Sequence, residues 1–184
     1  MNMLASRGQL RASFIRWALF TVPLCVLLGF LAGRLGSPDT AWFAALEKPG
    51  IFPEPKWFGI VWTILYIMIG LAVAVVASAW GARGRSTALW VFAIHFLLNL
   101  SWSYVFFGAQ QITGGLIVLA LIVLTLLAVI ALFWRVRKLA GALLLPYLAW
   151  VLFASVLNYQ FLQLNPDADG GEANGAVERV RIGN

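Results

Sequence analysis

Four long stretches of the chain, residues 17–33, 57–82, 86–134 and 139–166, contain no Asp, Glu, Lys or Arg. Few folds tolerate this. About 20 apolar residues in a helix cross the roughly 30 Å hydrocarbon core of a bilayer, and in lipid a backbone must satisfy its own polar groups, as a helix does. The third stretch is long enough for two crossings and is interrupted by GAQQITGG at 108–115. Five spans follow, near 14–35, 58–80, 87–107, 114–134 and 140–163. Charged residues make up only 11% of the chain, against about a quarter in soluble domains. The expected fold class is an all-α membrane protein, a five-transmembrane-helix bundle.

The first span follows Arg7, Arg11 and Arg16, as the core of a signal peptide would. Its apolar part exceeds the usual 7–15 residues or so, and no convincing A-x-A site follows, so it reads as a retained helix. Residues 1–13 read as a polar leader. After Leu164 the chain turns to NPDADGGEANGAVERVRIGN, which cannot bury a core, so 166–184 read as a mobile tail. The one cysteine, Cys25, lies inside the first span and rules out an intramolecular disulfide.

A net charge of +6 would suit a nucleic-acid partner if it were clustered on one surface, but it is divided among loops. Arg7, Arg11, Arg16, Arg83, Arg85, Arg135, Arg137 and Lys138 fall on one side of a five-span topology; Arg34, Lys48 and Lys56 fall on the other. Eight against three is a positive-inside asymmetry. It predicts a plasma membrane with the N-terminus cytoplasmic and the first loop outside, and no nucleic-acid partner. Small residues recur on the helices: Gly29 and Gly33 form a GxxxG pair, and Gly70, Ala74 and Ser78 fall at every fourth position. Such faces let backbones approach closely in lipid, within one bundle or between subunits.

Inside the third span lies HFLLNLSWSYVFFG, residues 95–108, rich in groups that want hydrogen bonds. His95, Asn99, Trp102 and Phe106 fall three and four apart and therefore share a face. Trp62 and Tyr66 share one on the second span, and Pro146, Trp150, Ala154 and Asn158 share one on the fifth. Polar groups facing hydrocarbon are costly, so these stripes should look inward. Of the nine tryptophans, Trp17, Trp57, Trp80, Trp90 and Trp134 sit near span ends as interfacial belts require, whereas Trp62, Trp102 and Trp150 lie deeper. Two roles fit the stripes: hydrogen-bonded glue between helices, or an aromatic cavity for a flat, greasy ligand with polar edges.

Other chemistries lack their residues. One histidine and one cysteine build no metal cage. No acid lies in spans two to five, which removes a carboxylate proton relay, and neither a Ser-His-Asp set nor a phosphate-binding glycine loop occurs. His95 alone could ligate a haem iron axially, without a second ligand to support it. Residues 37–57, SPDTAWFAALEKPGIFPEPKW, form the one long connection, with a short helical piece near 40–47. Its composition fits an ordered lid and equally an interfacial segment anchored by Trp42 and Trp57.

The text WFAALEKPGIFPEPKWFGIVWTILY at 42–66, NLSWSYVFFG at 99–108 and LLLPYLAWVLFASVLNYQFLQLN at 143–165 resembles the TspO/MBR family, the tryptophan-rich sensory proteins related to the mitochondrial translocator. The resemblance runs over roughly 14–165, with three motifs in register. It implies a five-helix bundle, often a homodimer, whose first loop caps a pocket for tetrapyrroles such as protoporphyrin IX or haem, with no further cofactor or metal required. It places ligand contacts on Trp62 and Trp150, on Asn99 and Trp102, on Ala154, and on Trp42, Lys48 and Pro49. Tyr66, His95, Phe106 and Asn158 join them through the stripes, and Lys48 is a candidate partner for a propionate. Some bacterial members promote light- and oxygen-dependent porphyrin breakdown; on that reading the ligand absorbs light while Trp62 and Trp150, as catalytic residues, supply or quench radicals. A sensor acting through a partner protein and a porphyrin translocator are the rival readings. Some bacterial relatives occupy the outer membrane.

The chain departs from the family pattern in three places. KPxWxPP becomes KPGIFPEP at 48–55, with Ile51 for a tryptophan and Glu54 splitting the prolines. A glutamine common in the third helix is His95. The sterol pattern of the last helix needs a basic residue after Tyr159, where QFLQLN follows, so sterol binding by that route is not expected.

Overall fold

The computed structural model describes residues 7–170. Five crossings are present and no strand occurs among the described residues. Helix α1 spans Arg7–Leu35, and a short α2, Ala41–Ala45, lies in the first loop. Then come α3 at Pro55–Ala77, α4 at Arg85–Ser103, α5 at Ile112–Val136, a one-turn-and-a-half α6 at Lys138–Leu143, and α7 at Leu145–Leu164. The fifth crossing runs through α6 and α7 together, Lys138–Leu164. The expected spans lie within a few residues of these, with one correction. Residues 7–13 belong to the first helix rather than to a leader.

Residues Tyr104–Gly108 close α4 with a π-helical turn, sealed by Ala109 N–H donating to the Tyr104 carbonyl at 2.7 Å. Such turns fit one extra residue into a helix and often stand at functional sites. Here the turn presents Phe106 and Phe107, whose rings meet at 4.8 Å.

α1 packs chiefly against α3, and α5 packs against α4 and α7. The first contact is backbone to backbone. A Cβ added to Gly70 would come within 2.6 Å of Val22 Cα, and Thr21 Oγ1 donates across the crossing to the Gly70 carbonyl at 2.8 Å. Gly29 leaves room for the Tyr66 ring, whereas nothing lies within 4 Å of a Cβ at Gly33. The small-residue faces therefore serve packing inside the bundle at Gly29 and Gly70, where van der Waals contact replaces the hydrophobic drive that lipid does not supply. Cys25 is buried in the same core. Trp80 and Trp90, 68% and 72% exposed, point outward, as belt residues should.

The first loop folds back over the bundle as a lid. Thr40 caps α2, its Oγ1 accepting from Phe43 N–H at 3.1 Å, as an N-cap should. Phe43 then packs on Phe107 at 5.0 Å and on Phe161 at 5.8 Å, and Phe52 packs on Phe58 at 5.3 Å. Beneath them Leu46, Phe106, Ile112, Leu157 and Phe161 form a second buried cluster.

The segment after α7 differs from the expected mobile tail as far as Gly170. Asn165 Nδ2 donates to the Glu47 carbonyl at 3.0 Å, and its Oδ1 accepts from Glu47 N–H at 2.8 Å. Trp42 Nε1 donates to the Ala168 carbonyl, Asp169 accepts from Thr113 N–H, and Gly170 N–H donates to the Gln110 carbonyl. The last helix thus ends in a latch on the lid. Residues 1–6 of the expected leader and 171–184 of the expected tail lie outside the described residues.

Candidate ligand cavity

Below the lid, between α1, α3, α4 and α7, lies a cavity of two adjoining lobes, about 1000 Å³ and about 660 Å³. They share Trp62, Trp102, Phe58 and Ala154 in their walls. Phe58, Trp62 and Tyr66 descend one face of α3, four residues apart. Trp62 stacks on Tyr66 at 5.3 Å, and Tyr66 Oη donates to Asn99 Oδ1 at 3.3 Å. Trp102 stacks on Phe106 at 5.3 Å. On α7, Trp150 lies edge-on to Phe58 at 5.8 Å, and Asn158 donates from Nδ2 to the Ile112 carbonyl at 2.9 Å. Asn158 sits in the notch left by Gly115, where a Cβ would come within 2.8 Å of its Oδ1.

Three buried polar atoms of these residues have no hydrogen-bond partner among the described residues: Trp102 Nε1, Trp150 Nε1 and Asn158 Oδ1. An unmade hydrogen bond at a buried group costs about 1–3 kcal/mol, and buried indole N–H groups ordinarily find an acceptor. These atoms have almost no accessible surface, so it is the aromatic rings of the walls that meet the open space, and such walls suit a molecule that is apolar over its faces and polar in a few places.

Of the residues expected at the site, Lys48, Trp62, Tyr66, Asn99, Trp102 and Phe106 line the lobes, as do Trp150, Ala154 and Asn158. Trp42, Pro49 and His95 do not. Trp42 braces the lid from within, edge-on to Phe106 at 5.9 Å and bonded to Ala168, and Pro49 is buried in the loop. Lys48 lines the smaller lobe, but its ammonium donates to the carbonyls of Phe43 and Leu46 and lies 4.0 Å over the Phe43 ring. Desolvation in the lid lowers its pKa from the ordinary lysine value.

His95 departs most from expectation. It is 1% exposed, with Nδ1 2.8 Å from Thr125 Oγ1 and Nε2 3.1 Å from Tyr147 Oη. Thr125 spends its own proton on the Leu121 carbonyl, which assigns the ring proton to Nδ1 and leaves Nε2 to accept from Tyr147. Both nitrogens are satisfied, so His95 joins α4, α5 and α7 instead of meeting a ligand. His95→Leu should cost about 1–3 kcal/mol of stability, since the Tyr147 hydroxyl proton loses its acceptor, while His95→Gln should melt near the parent. Thermal melting in detergent checks both, and ligand affinity should follow neither.

The sequence reading missed Phe58, Phe161 and Arg34. Phe58 was within reach, one turn before Trp62 on the same stripe; Phe161 lies three residues past Asn158.

A five-span bundle with a latched lid over an aromatic cavity defines the class: a helical membrane protein built to hold a ligand between its helices. The chain matches the TspO/MBR family over residues 21–164, and it belongs to that family. It is 43% identical over 151 residues to the tryptophan-rich protein TspO of Chlorobaculum tepidum, covering 79% of this chain and 93% of the relative. It is 34% identical over 151 residues to a tryptophan-rich sensory protein of Cereibacter sphaeroides, covering 81% and 92%. With the human translocator protein the identity is 35% over 133 residues, covering 71% and 78%.

Proposed function

We propose that this protein is a membrane receptor for tetrapyrroles, holding the macrocycle between Trp62, Trp102 and Trp150 beneath the lid. The observation that carries this reading is the two-lobed cavity walled by Trp62, Trp102 and Trp150 together with Phe58, Tyr66 and Phe106. A flat conjugated ring stacks on such walls. The names of its relatives, sensory protein and translocator protein, fit a receptor that responds to what it binds. The excess of Lys and Arg at the end opposite the lid supports an orientation with the lid outside and the N-terminus in the cytoplasm of a bacterial plasma membrane.

The test is a dark titration of the protein in nanodiscs with protoporphyrin IX, read by tryptophan fluorescence. Saturable quenching beyond that of empty nanodiscs is expected. Trp150→Phe replaces the indole by a smaller ring and gives up stacking surface, so affinity should fall roughly two- to tenfold, the worth of one aromatic pair of about 0.5–1.5 kcal/mol. Unchanged affinity in Trp102→Phe and Trp150→Phe alike would overturn the reading. Illumination then separates two modes of action. Ligand loss that needs Trp62 and Trp150 supports photochemical breakdown, in which porphyrin and oxygen supply the hard chemistry; a ligand that survives light supports a sensor.

A further inference from the structure

We infer that Arg34 is the carboxylate-recognition residue of the cavity, and that the ligand carries at least one ionised carboxylate at the mouth of the larger lobe; this rests on the tetrapyrrole reading. Three charged side chains line the two lobes: Arg34, Asp39 and Lys48. Two of them are engaged. The Lys48 ammonium is held by the Phe43 and Leu46 carbonyls and by the Phe43 ring. Asp39 Oδ2 accepts from Ser37 Oγ at 3.1 Å, and Ser37 Oγ accepts in turn from Asp39 N–H. Arg34 has no such partner among the described residues, where the ion pair is Lys56 with Glu54.

Its position gives that charge a use. Arg34 stands in the last turn of α1, at a rim it shares with Ser37 and Pro38, and Trp62 and Tyr66 line the same lobe. A guanidinium presents paired N–H donors that match a carboxylate in the plane of its fork. At the edge of an apolar cavity that pair is screened less than one in open water. A ring system entering the lobe would therefore be oriented, with its acid group at Arg34 and its aromatic faces against the tryptophans. The residue that looked suited to this task from the sequence, Lys48, is occupied in holding the lid together.

The experiment compares protoporphyrin IX with its dimethyl ester, which has the same ring and no carboxylate. The protein is titrated in the dark in phosphatidylcholine nanodiscs, as the parent and as Arg34→Gln, Arg34→Lys and Lys48→Gln. The parent is expected to bind the diacid about tenfold more tightly than the diester, an increment of about 1.4 kcal/mol. Arg34→Gln should erase that preference by weakening the diacid alone, Arg34→Lys should keep part of it, and Lys48→Gln should keep it whole. A merely structural Arg34 would weaken both ligands together. Equal binding of diacid and diester by the parent, or a preference that survives Arg34→Gln, overturns the assignment and leaves the tetrapyrrole cavity standing. Binding of neither ligand overturns both.

Discussion

Gly36→Ala should lower the yield of folded protein and its melting temperature more than any other single methyl group added along the first loop. A Cβ at Gly36 would lie 2.1 Å from the Ser103 carbonyl oxygen, 2.2 Å from its carbon and 2.7 Å from Tyr104 N. All three are backbone atoms at the start of the π-helical turn, so no side chain can swing aside to make room. Overpacking a closed site typically costs about 1–3 kcal/mol, and backbone-to-backbone overlap belongs at or above the upper end. The end of α1 would be pushed off α4 at the level where both walls of the cavity begin. Gly33→Ala supplies the control, because its Cβ would meet nothing within 4 Å although Gly33 lines both lobes. Melting by circular dichroism in detergent decides the matter; equal melting of the two variants would mean that the α1–α4 approach yields freely.

Asn165→Ala should accelerate ligand exchange with little change in fold. Asn165 grips both the N–H and the carbonyl of Glu47, two bonds worth about 0.5–1.5 kcal/mol each. The Glu47 groups are near water, which replaces part of what is lost, so the expected loss is about 1.4 kcal/mol, or tenfold in how often the lid opens. Opening precedes both entry and exit. Association and dissociation of protoporphyrin should therefore each quicken about tenfold in stopped-flow fluorescence while Kd moves little. Faster dissociation with unchanged association would instead make Asn165 a stabiliser of the bound state alone.

The spans were readable in advance because charge-free length is a one-dimensional property, which a bilayer enforces on any sequence that crosses it. The stripes on α3 and α7 were readable for a similar reason. Trp62 with Tyr66, and Trp150 with Ala154 and Asn158, repeat at helical spacing, and each set does line the cavity. Spacing places residues on a face without saying how far down that face a cavity extends. His95 lies one turn, about 5.4 Å, beyond Asn99 on its stripe, and there the partners are Thr125 and Tyr147. The lid was ambiguous because Phe43 and Phe52 follow no period, and only their packing on Phe107, Phe161 and Phe58 settles where they lie. The segment 166–170 was misread because its composition is that of a solvated tail, whereas it is held to the lid and to the α4–α5 connection largely through main-chain groups, the Ala168 carbonyl and the Gly170 N–H, which every sequence possesses.

The latch also sets an order of events in the life of the chain. Glu47 and Asn165, which hold each other, are separated by 118 positions, and Trp42 and Ala168 by 126. The lid leaves the ribosome well before its fasteners. Until the fifth crossing has been inserted, the first loop has neither Phe161 to rest on nor Asn165 to hold it. A nascent bundle must therefore pass through a stage in which the tryptophan walls are largely assembled and the roof is unfastened, so closure of the cavity reports that the fifth crossing is in place.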